Sequence, residues 1–297
     1  MNAINTQLDL SRAPDEATVK DFSLGTILIR NGKLKPSDAE TILRLQREQG
    51  MRFGEAAVAL KLVTPEDIQH ALSLQYEFPY LTTQDTSVSP DLVAAYHPFS
   101  KTVEGFRALR SQLSMRWFGK SEQAALAVVS AQAGDGRSFM AANLAIVFSQ
   151  LGMRTLLIDA DLRNPKQHAL FHLDNKTGLS SYLSGRNTNS LINRVPSFAD
   201  LSVMPSGPLP PNPLELLSRP LFSEGISILS KEFDVILVDT PALDNNTLDA
   251  LAVAKTCKGA LLLAKNNQTK QNQLLSAAKK LASADITIVG SVINEFN

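Results

Sequence analysis

The sequence predicts an α/β chain with a doubly wound, mostly parallel sheet, preceded by a small mainly helical domain. Three observations lead to this prediction. From residue 126 onward, apolar runs of strand length alternate with helical segments, as in a parallel sheet covered on both faces. A glycine-containing loop joins the first of these runs to a helix. Before them, residues 22–75 contain an internal repeat of helical character.

Size and composition are those of an ordinary soluble protein. The 297 residues suffice for two domains, and a net charge of zero gives no reason to expect a nucleic-acid partner. Cys257 is the only cysteine, which excludes an internal disulfide and favours a reducing compartment. The N-terminus lacks a signal-peptide pattern, and the apolar runs are far shorter than the ~20 residues of a membrane span. We therefore expect a cytoplasmic protein, peripheral to the inner membrane through a partner.

The repeat consists of residues 22–46 and 51–75, which align at a constant offset of 29 residues. Gly25 and Gly54 occupy equivalent positions in the two copies. Each copy reads as a short apolar helix, a turn and a second helix that begins at a proline with acidic residues after it. We expect a small helical interaction domain.

A segment rich in Ser, Thr and Pro follows the repeat and predicts a linker. After it, the spacing of apolar residues predicts a helix with Val103, Phe106, Leu109 and Leu113 on one face. The predicted organisation is a flexible N-terminus at 1–20, the repeat domain at 21–82, the linker at 83–100 and the α/β domain at 101–297.

Six apolar runs are the expected strands of the α/β domain. Near-continuous apolar character indicates strands buried on both faces. In chain order they read LAVVS, RTLLIDA, LSVMPS, FDVILVDT, GALLLA and ITIVGSVI.

The loop between the first strand and its helix resembles a phosphate-binding loop. Gly134 and Gly136 let the backbone approach phosphate closely, and the helix that begins near Ser138 presents its N–H groups to an anion. Ser138 has the hydroxyl expected on Mg²⁺. Arg137 stands where such loops carry the lysine that reaches the terminal phosphates, and Ala131 replaces the first glycine. Because a planar guanidinium differs from a compact ammonium, nucleotide binding is expected more firmly than phosphate transfer.

Acidic residues end two of the expected strands. Asp159 and Asp161 follow one, and Asp239 ends another. Carboxylates at the C-terminal ends of parallel strands lie at the edge where such sheets bind ligands. They could hold Mg²⁺ or accept a proton from an attacking hydroxyl.

These motifs together resemble the bacterial tyrosine kinases, P-loop proteins that work with polysaccharide chain-length regulators. The resemblance covers about residues 98–297 and includes GDGRS, LLIDADLR, ILVDTP, GPLPPNPLELL and EGFRALR in the family's order. Within the family, the chain looks most like the EpsG branch, the separate kinase-like proteins paired with a membrane chain-length determinant in exopolysaccharide systems. The fold implied is that of a P-loop NTPase.

The resemblance implies a role for each matching residue, with ATP and Mg²⁺ as cofactors. The catalytic set would include Arg137, Asp159 and Asp161, and the metal set Ser138, Asp161 and Asp239. The nucleotide-binding set would be Gly134, Asp135, Gly136, Arg137, Ser138, Phe139 and, at the adenine, Asn294.

The resemblance also implies assembly. Glu104, Arg107 and Arg110 match the motif through which subunits of the family form a ring, so a homo-oligomer is expected. One departure concerns the phosphate acceptor, because members that phosphorylate themselves usually end in a tyrosine cluster. This chain ends VGSVINEFN, and its tyrosines are Tyr76, Tyr80, Tyr96 and Tyr182.

The repeat domain resembles the MshEN domains of type II secretion ATPases, some of which bind cyclic di-GMP. Ser23 and Lys61 depart from the pattern at an arginine and a glycine position, so cyclic di-GMP is a weak expectation. The matching residues are Gly25, Gly32, Gln46, Arg52, Gly54 and Gln75.

Three functions stay open at this point. The first is an ATP-dependent tyrosine-kinase-like regulator of exopolysaccharide chain length, polymerisation and export. The second is a catalytically silent, nucleotide-gated scaffold or sensor, which Arg137 and the missing tyrosine tail favour. The third is a partitioning ATPase of the deviant-loop group, whose signature lysine is replaced here by Gln132.

Overall fold

Two separate units make up the chain, Met1–Phe78 and Pro79–Asn297. The computed structural model describes residues 23–75, 80–82, 84–119, 124–186, 190–244 and 247–295. The predicted flexible N-terminus at 1–20 lies outside the described residues. Within these ranges, every helix is too short or too polar to cross a bilayer.

The first unit contains the two repeat copies as two pairs of helices. The helices are α1 (Leu24–Arg30), α2 (Pro36–Gln49), α3 (Phe53–Ala59) and α4 (Pro65–Gln75). Equivalent acidic residues begin the second helix of each pair. Asp38 accepts a hydrogen bond from the Lys35 N–H at 2.8 Å, and Asp67 accepts one from the Thr64 N–H at 3.0 Å. The two copies therefore share the hydrogen bond that caps the start of their second helix.

The two copies pack against each other at equivalent positions. A Cβ atom at Gly25 would lie 3.2 Å from the ring of Phe53, and one at Gly54 would lie 3.6 Å from Leu24. Leu24 and Phe53 are themselves 29 residues apart, so the contact is reciprocal. The core that this pairing encloses consists of Ile27, Leu28, Leu34, Ile42, Ala56, Ala57, Val63 and Ala71. The expected cyclic di-GMP binding of this unit stays a prediction.

The second unit is built on a seven-stranded sheet in the order β3-β4-β2-β5-β1-β6-β7. Its strands are β1 (Ala125–Ser130), β2 (Thr155–Asp159), β3 (Asn193–Arg194), β4 (Leu201–Met204), β5 (Val235–Asp239), β6 (Gly259–Lys265) and β7 (Thr287–Asn294). All neighbouring strands are parallel except β3 and β4. The predicted mostly parallel α/β fold is confirmed, and β3 was not among the predicted strands.

Helices cover both faces of the sheet. They are α5 (Val93–Tyr96), α6 (Lys101–Leu113), α7 (Arg137–Ser149), α8 (Gln167–Leu170), α9 (Leu179–Leu183), α10 (Pro213–Leu217), α11 (Pro220–Leu229), α12 (Thr247–Cys257) and α13 (Gln271–Ser283), and a π-helical turn at Ser114–Phe118 extends α6. Alternate residues of each central strand enter two different cores. In β1, for example, Leu126 and Val128 pack on the side of α6 and α7, whereas Ala127 and Val129 face α12. This alternation explains why the strands read as continuous apolar runs.

The predicted linker at 83–100 requires a correction, because its described residues are packed onto the second unit. The Ala94 N–H donates to Asn143 Oδ1 of α7 at 2.8 Å, and the Ala94 carbonyl accepts from Gln150 at 3.1 Å. The Tyr96 hydroxyl donates to the Val88 carbonyl at 2.7 Å. Asn143 of α7 and Gln150, which follows the last residue of α7, thus satisfy both backbone groups of Ala94, and the apolar residues of the segment join the core.

Candidate functional site

The loop between β1 and α7 opens at the C-terminal edge of the sheet. Gly134 and Gly136 have φ angles of +85° and +95°, in the left-handed region that favours glycine. Gly136 begins α7 without a side-chain cap, so the N–H groups of the first helical turn are left for a ligand. A helix of 13 residues with such an end is suited to hold an anion.

Asp135 and Asn294 fix the shape of this loop. The Asp135 carboxylate accepts hydrogen bonds from the Gln132 N–H at 3.0 Å and the Thr269 hydroxyl at 2.8 Å. The Asn294 amide donates to the Asp135 carbonyl at 3.0 Å. A Cβ atom at Gly136 would lie only 2.2 Å from Asn294 Nδ2, so this glycine is also required by packing. Adenine contact by Asn294 stays a prediction, while its amide is placed against the loop.

The guanidinium of Arg137 donates hydrogen bonds to oxygens of the protein. Its Nε donates to the Thr240 carbonyl at 2.7 Å, and its Nη1 donates to the Gln132 carbonyl at 2.8 Å and to the Ser130 hydroxyl. Only 9% of the residue is exposed. The contact of Arg137 with the terminal phosphates stays a prediction, since its Nε and Nη1 are engaged by protein oxygens while the residue also lines a cavity at the loop. The guanidinium presents its N–H donors in a rigid planar arrangement, and three oxygens at the ends of β1 and β5 accept hydrogen bonds from it.

Asp159 and Asp239 are register partners on β2 and β5, and both are fully buried. Burial raises the pKa of Asp159 well above its usual range, and the negative charge of Asp239 raises it further. Burial likewise raises the pKa of Asp239 to about 6, although the Ser138 hydroxyl, the Gln167 amide and the Arg137 charge oppose the rise. The sheet edge thus holds two carboxylates that repel each other when both are ionised.

The two carboxylates differ in what they contact. Both oxygens of Asp159 accept backbone N–H groups, at 3.2 Å from Asp161 and at 2.9 Å from Lys166 and Gln167. In Asp239, Oδ2 accepts from the Gln167 amide at 2.8 Å, whereas the buried Oδ1 has no hydrogen-bond partner among the described residues. An unsatisfied buried carboxylate oxygen near the Ser138 hydroxyl fits the needs of Mg²⁺, which takes oxygen ligands.

Asp161, like Asp244, lines the cleft. Its Oδ1 accepts from the Asn164 N–H at 3.0 Å, and the residue is 7% exposed. No cluster of three metal-ligating acidic, His or Cys side chains occurs in the described parts of the chain. Mg²⁺ does not require one, because it commonly keeps several waters and takes one or two carboxylates beside a nucleotide's phosphates.

Two cavities meet at the loop. One of about 680 Å³ has a size suited to a nucleotide, and a second of about 430 Å³ extends past Asp161. The residues that line both are Gly134, Gly136, Ser138, Phe139 and Lys166. The larger cavity is further lined by Ser89, Pro90, Asp91, Val93, Ala169, Leu170, Lys265 and Asn294. Sequence reasoning missed the wall at 89–93 and both lysines, because no loop motif includes them.

The expected subunit-contact residues lie on α6. Glu104 is exposed and lies 3.4 Å from Arg107, whose guanidinium lies 6.0 Å from the Phe99 ring centre. Arg110 instead donates from Nη1 to the Val147 carbonyl of α7 at 2.7 Å. Glu104 is therefore displayed on the surface of α6, Arg107 is half-buried beside it, and Arg110 joins α6 to α7.

Comparisons with known proteins agree with this geometry. No protein-family model matches the sequence. Tyrosine-protein kinase YwqD of Bacillus subtilis is 32% identical over 204 residues, which cover 69% of this chain and 85% of the relative. Tyrosine-protein kinase CpsD of Streptococcus agalactiae is 33% identical over 198 residues, covering 66% and 84%.

A solved structure gives the same result. The kinase domain of the Escherichia coli tyrosine kinase ETK superposes with a TM-score of 0.67 at 30% identity, covering 74% of this chain and 85% of that domain. The matches span most of each relative. The chain therefore belongs to the bacterial tyrosine-protein kinase family, a family of transferases.

Proposed function

We propose that the second unit binds ATP with Mg²⁺ and regulates exopolysaccharide chain length, polymerisation and export as a tyrosine-kinase-like protein. The observation that carries the nucleotide part is the uncapped start of α7 beside Asp239, whose buried Oδ1 accepts no hydrogen bond from the described residues. The family membership supports the class of reaction. Action on exopolysaccharide, as in the EpsG branch, rests on the resemblance of the motifs.

In this proposal the groups of the cleft divide phosphate binding, metal binding and proton transfer among them. Backbone N–H groups of residues 134–138 bind the phosphates, and Asp239 and Ser138 hold Mg²⁺ with help from Asp161. Magnesium, when bound, would neutralise charge that develops on the phosphates. Asp161 accepts the proton of an attacking hydroxyl, because it lines the cleft. Asp159 acts as a positioning residue, since both of its oxygens hold backbone N–H groups.

The partner proposed is a membrane chain-length determinant, which would bring the chain to the inner membrane. Assembly into a homo-oligomer is proposed through α6. Glu104 suits this role because it is exposed on the helix surface, and Arg107 lies within 3.4 Å of it. Arg110 would act there mainly by fixing α6 on α7.

A nucleotide-gated scaffold without transfer is the second candidate. Arg137 favours it, because its guanidinium is engaged by protein oxygens. Tyr96 favours it as well, because this tyrosine is buried and its hydroxyl donates to backbone carbonyls.

Incubation with radiolabelled ATP and Mg²⁺, with and without the cytoplasmic segment of the chain-length determinant, tests the proposal. We expect bound ATP and label on tyrosine, and loss of the label in Asp161→Ala. The matched control is Asp174→Ala, which removes an exposed carboxylate that pairs with Lys176. Bound ATP without labelled tyrosine would favour the scaffold, and absence of ATP binding would contradict both candidates.

A further inference from the structure

We infer that Lys166, rather than Arg137, supplies the movable positive charge to the terminal phosphates of the nucleotide. The inference rests on the proposed nucleotide binding and adds to it a phosphate-binding residue outside the loop. A loop that presents only backbone N–H groups leaves most of the charge of a triphosphate unneutralised. A lysine or arginine usually supplies that charge.

Arg137 lines only the smaller of the two cavities, and its Nε and Nη1 are engaged by protein oxygens. Its Nε donates to the Thr240 carbonyl, and its Nη1 donates to the Gln132 carbonyl and the Ser130 hydroxyl. These oxygens lie at the ends of two neighbouring strands. Reaching a phosphate would break these contacts and leave buried carbonyl oxygens without donors, which is unfavourable. Arg137 therefore acts as a brace between β1 and β5.

Lys166 has the opposite properties. Its side chain is exposed, and its ammonium makes no hydrogen bond or ion pair with any part of the chain that the structure describes. Its backbone, in contrast, is fixed, because the Lys166 N–H donates to Asp159 Oδ2 at 2.9 Å. A long flexible side chain on a fixed backbone keeps the Lys166 ammonium near the cleft and leaves it able to contact a phosphate there.

The position of Lys166 matches the place where the charge is needed. It lines both cavities that meet at Gly136 and Ser138, and so lies between the nucleotide cavity and the cleft of Asp161. The same Asp159 carboxylate holds the N–H groups of Asp161 and Lys166. One buried carboxylate thus sets the backbone of both the acidic and the basic residue of the cleft.

A second lysine provides the matched comparison. Lys265 lines the larger cavity only, at the end of β6 near Asn294. A charge that lines only the nucleotide cavity should act on all nucleotides alike. A charge at the junction of the two cavities should act mainly on the last phosphate.

The experiment is a binding titration of the full chain with Mg²⁺ and either a non-hydrolysable ATP analogue or ADP. In Lys166→Met we expect the affinity for the ATP analogue to fall about ten- to a hundredfold, and the affinity for ADP to change about threefold or less. Lys166→Arg should restore most of the preference for the triphosphate. Lys265→Met should change both affinities by the same factor.

The outcomes separate this inference from the function on which it depends. If the unmodified chain binds the ATP analogue and Lys166→Met keeps the same ratio of affinities, the inference is wrong and the proposed nucleotide binding stands. If the unmodified chain binds neither nucleotide, both are wrong. Because the Lys166 side chain is exposed, all variants should unfold at the same urea concentration, which checks that an affinity change is not a folding defect.

Discussion

Replacing Arg137 by methionine should destabilise the second unit, because the guanidinium braces two strands. The bond from its charged Nε to the buried Thr240 carbonyl is worth about 1.5–3 kcal/mol. The Gln132 carbonyl keeps a hydrogen bond from the Ser130 hydroxyl at 2.7 Å, so its loss adds only about 0.5–1 kcal/mol. We therefore expect the free energy of unfolding to fall by about 2–4 kcal/mol.

Tryptophan fluorescence during urea unfolding measures this change directly. Trp117 is the only tryptophan, it is buried in the second unit, and its indole N–H donates to the Ala125 carbonyl at 2.9 Å. The control is Arg194→Met, because the exposed Arg194 also donates twice to a backbone carbonyl, that of Ala199. That carbonyl can bind water instead, so the loss should stay below about 1 kcal/mol. A loss as small as this in Arg137→Met, together with abolished ATP binding, would refute the brace and restore the phosphate role.

Three further predictions concern other parts of the molecule. Lys61 has a φ of +54° where the first copy has Gly32 at +69°, so Lys61→Gly should stabilise the first unit by about 0.5–1 kcal/mol. Gly32→Ala should destabilise the first unit. Equal melting temperatures of the unmodified chain and the two variants, measured by circular dichroism, would contradict the backbone strain at Lys61. Burial raises the pKa of Asp239 from 3.8 to about 6, so folding binds protons and stability falls by up to about 3 kcal/mol as the pH rises through that range. Asp239→Asn, without Mg²⁺ or nucleotide, should therefore stabilise the chain at pH 8 and lose its advantage at pH 4, and a pH-independent difference would show that the charge is not the cause. Gly259→Ala should cost about 1–3 kcal/mol and alter the fluorescence of Trp117, because the added Cβ would lie 2.4 Å from its ring; unchanged urea unfolding would argue against this packing.

The architecture was predictable because its signals are local. A strand buried on both faces has a continuous apolar run, and all six runs predicted from the sequence became strands. β3 was missed because it has two residues, Asn193 and Arg194, which is too short for any periodicity. The segment at 83–100 was misread because its turn-forming residues hid an apolar set that includes Leu92 and Ala95.

The site was predictable in position but not in contacts. The motif predicts a helix that begins beside Arg137, yet the oxygen that accepts from its Nε belongs to Thr240, 103 residues later in the chain. Likewise, Asp159 and Asp161 are equivalent in the sequence pattern. Only the turn that follows β2 decides that Asp159 faces backbone N–H groups while Asp161 lines the cleft. Such choices depend on tertiary packing, which one sequence does not record.

Residues 89–93, which follow the boundary between the two units, form part of the wall of the nucleotide cavity. Pro79 begins the second unit, and Ser89 and Val93 already line the cavity, while Asn143 fixes the backbone at Ala94. A nucleotide that contacts this wall would stabilise the packed position of residues 84–93. The effect is reciprocal, because the free energy that couples nucleotide binding to this packing is the same in both directions. Any event that loosens residues 84–93 would therefore weaken nucleotide binding by the same factor by which the nucleotide resists that loosening.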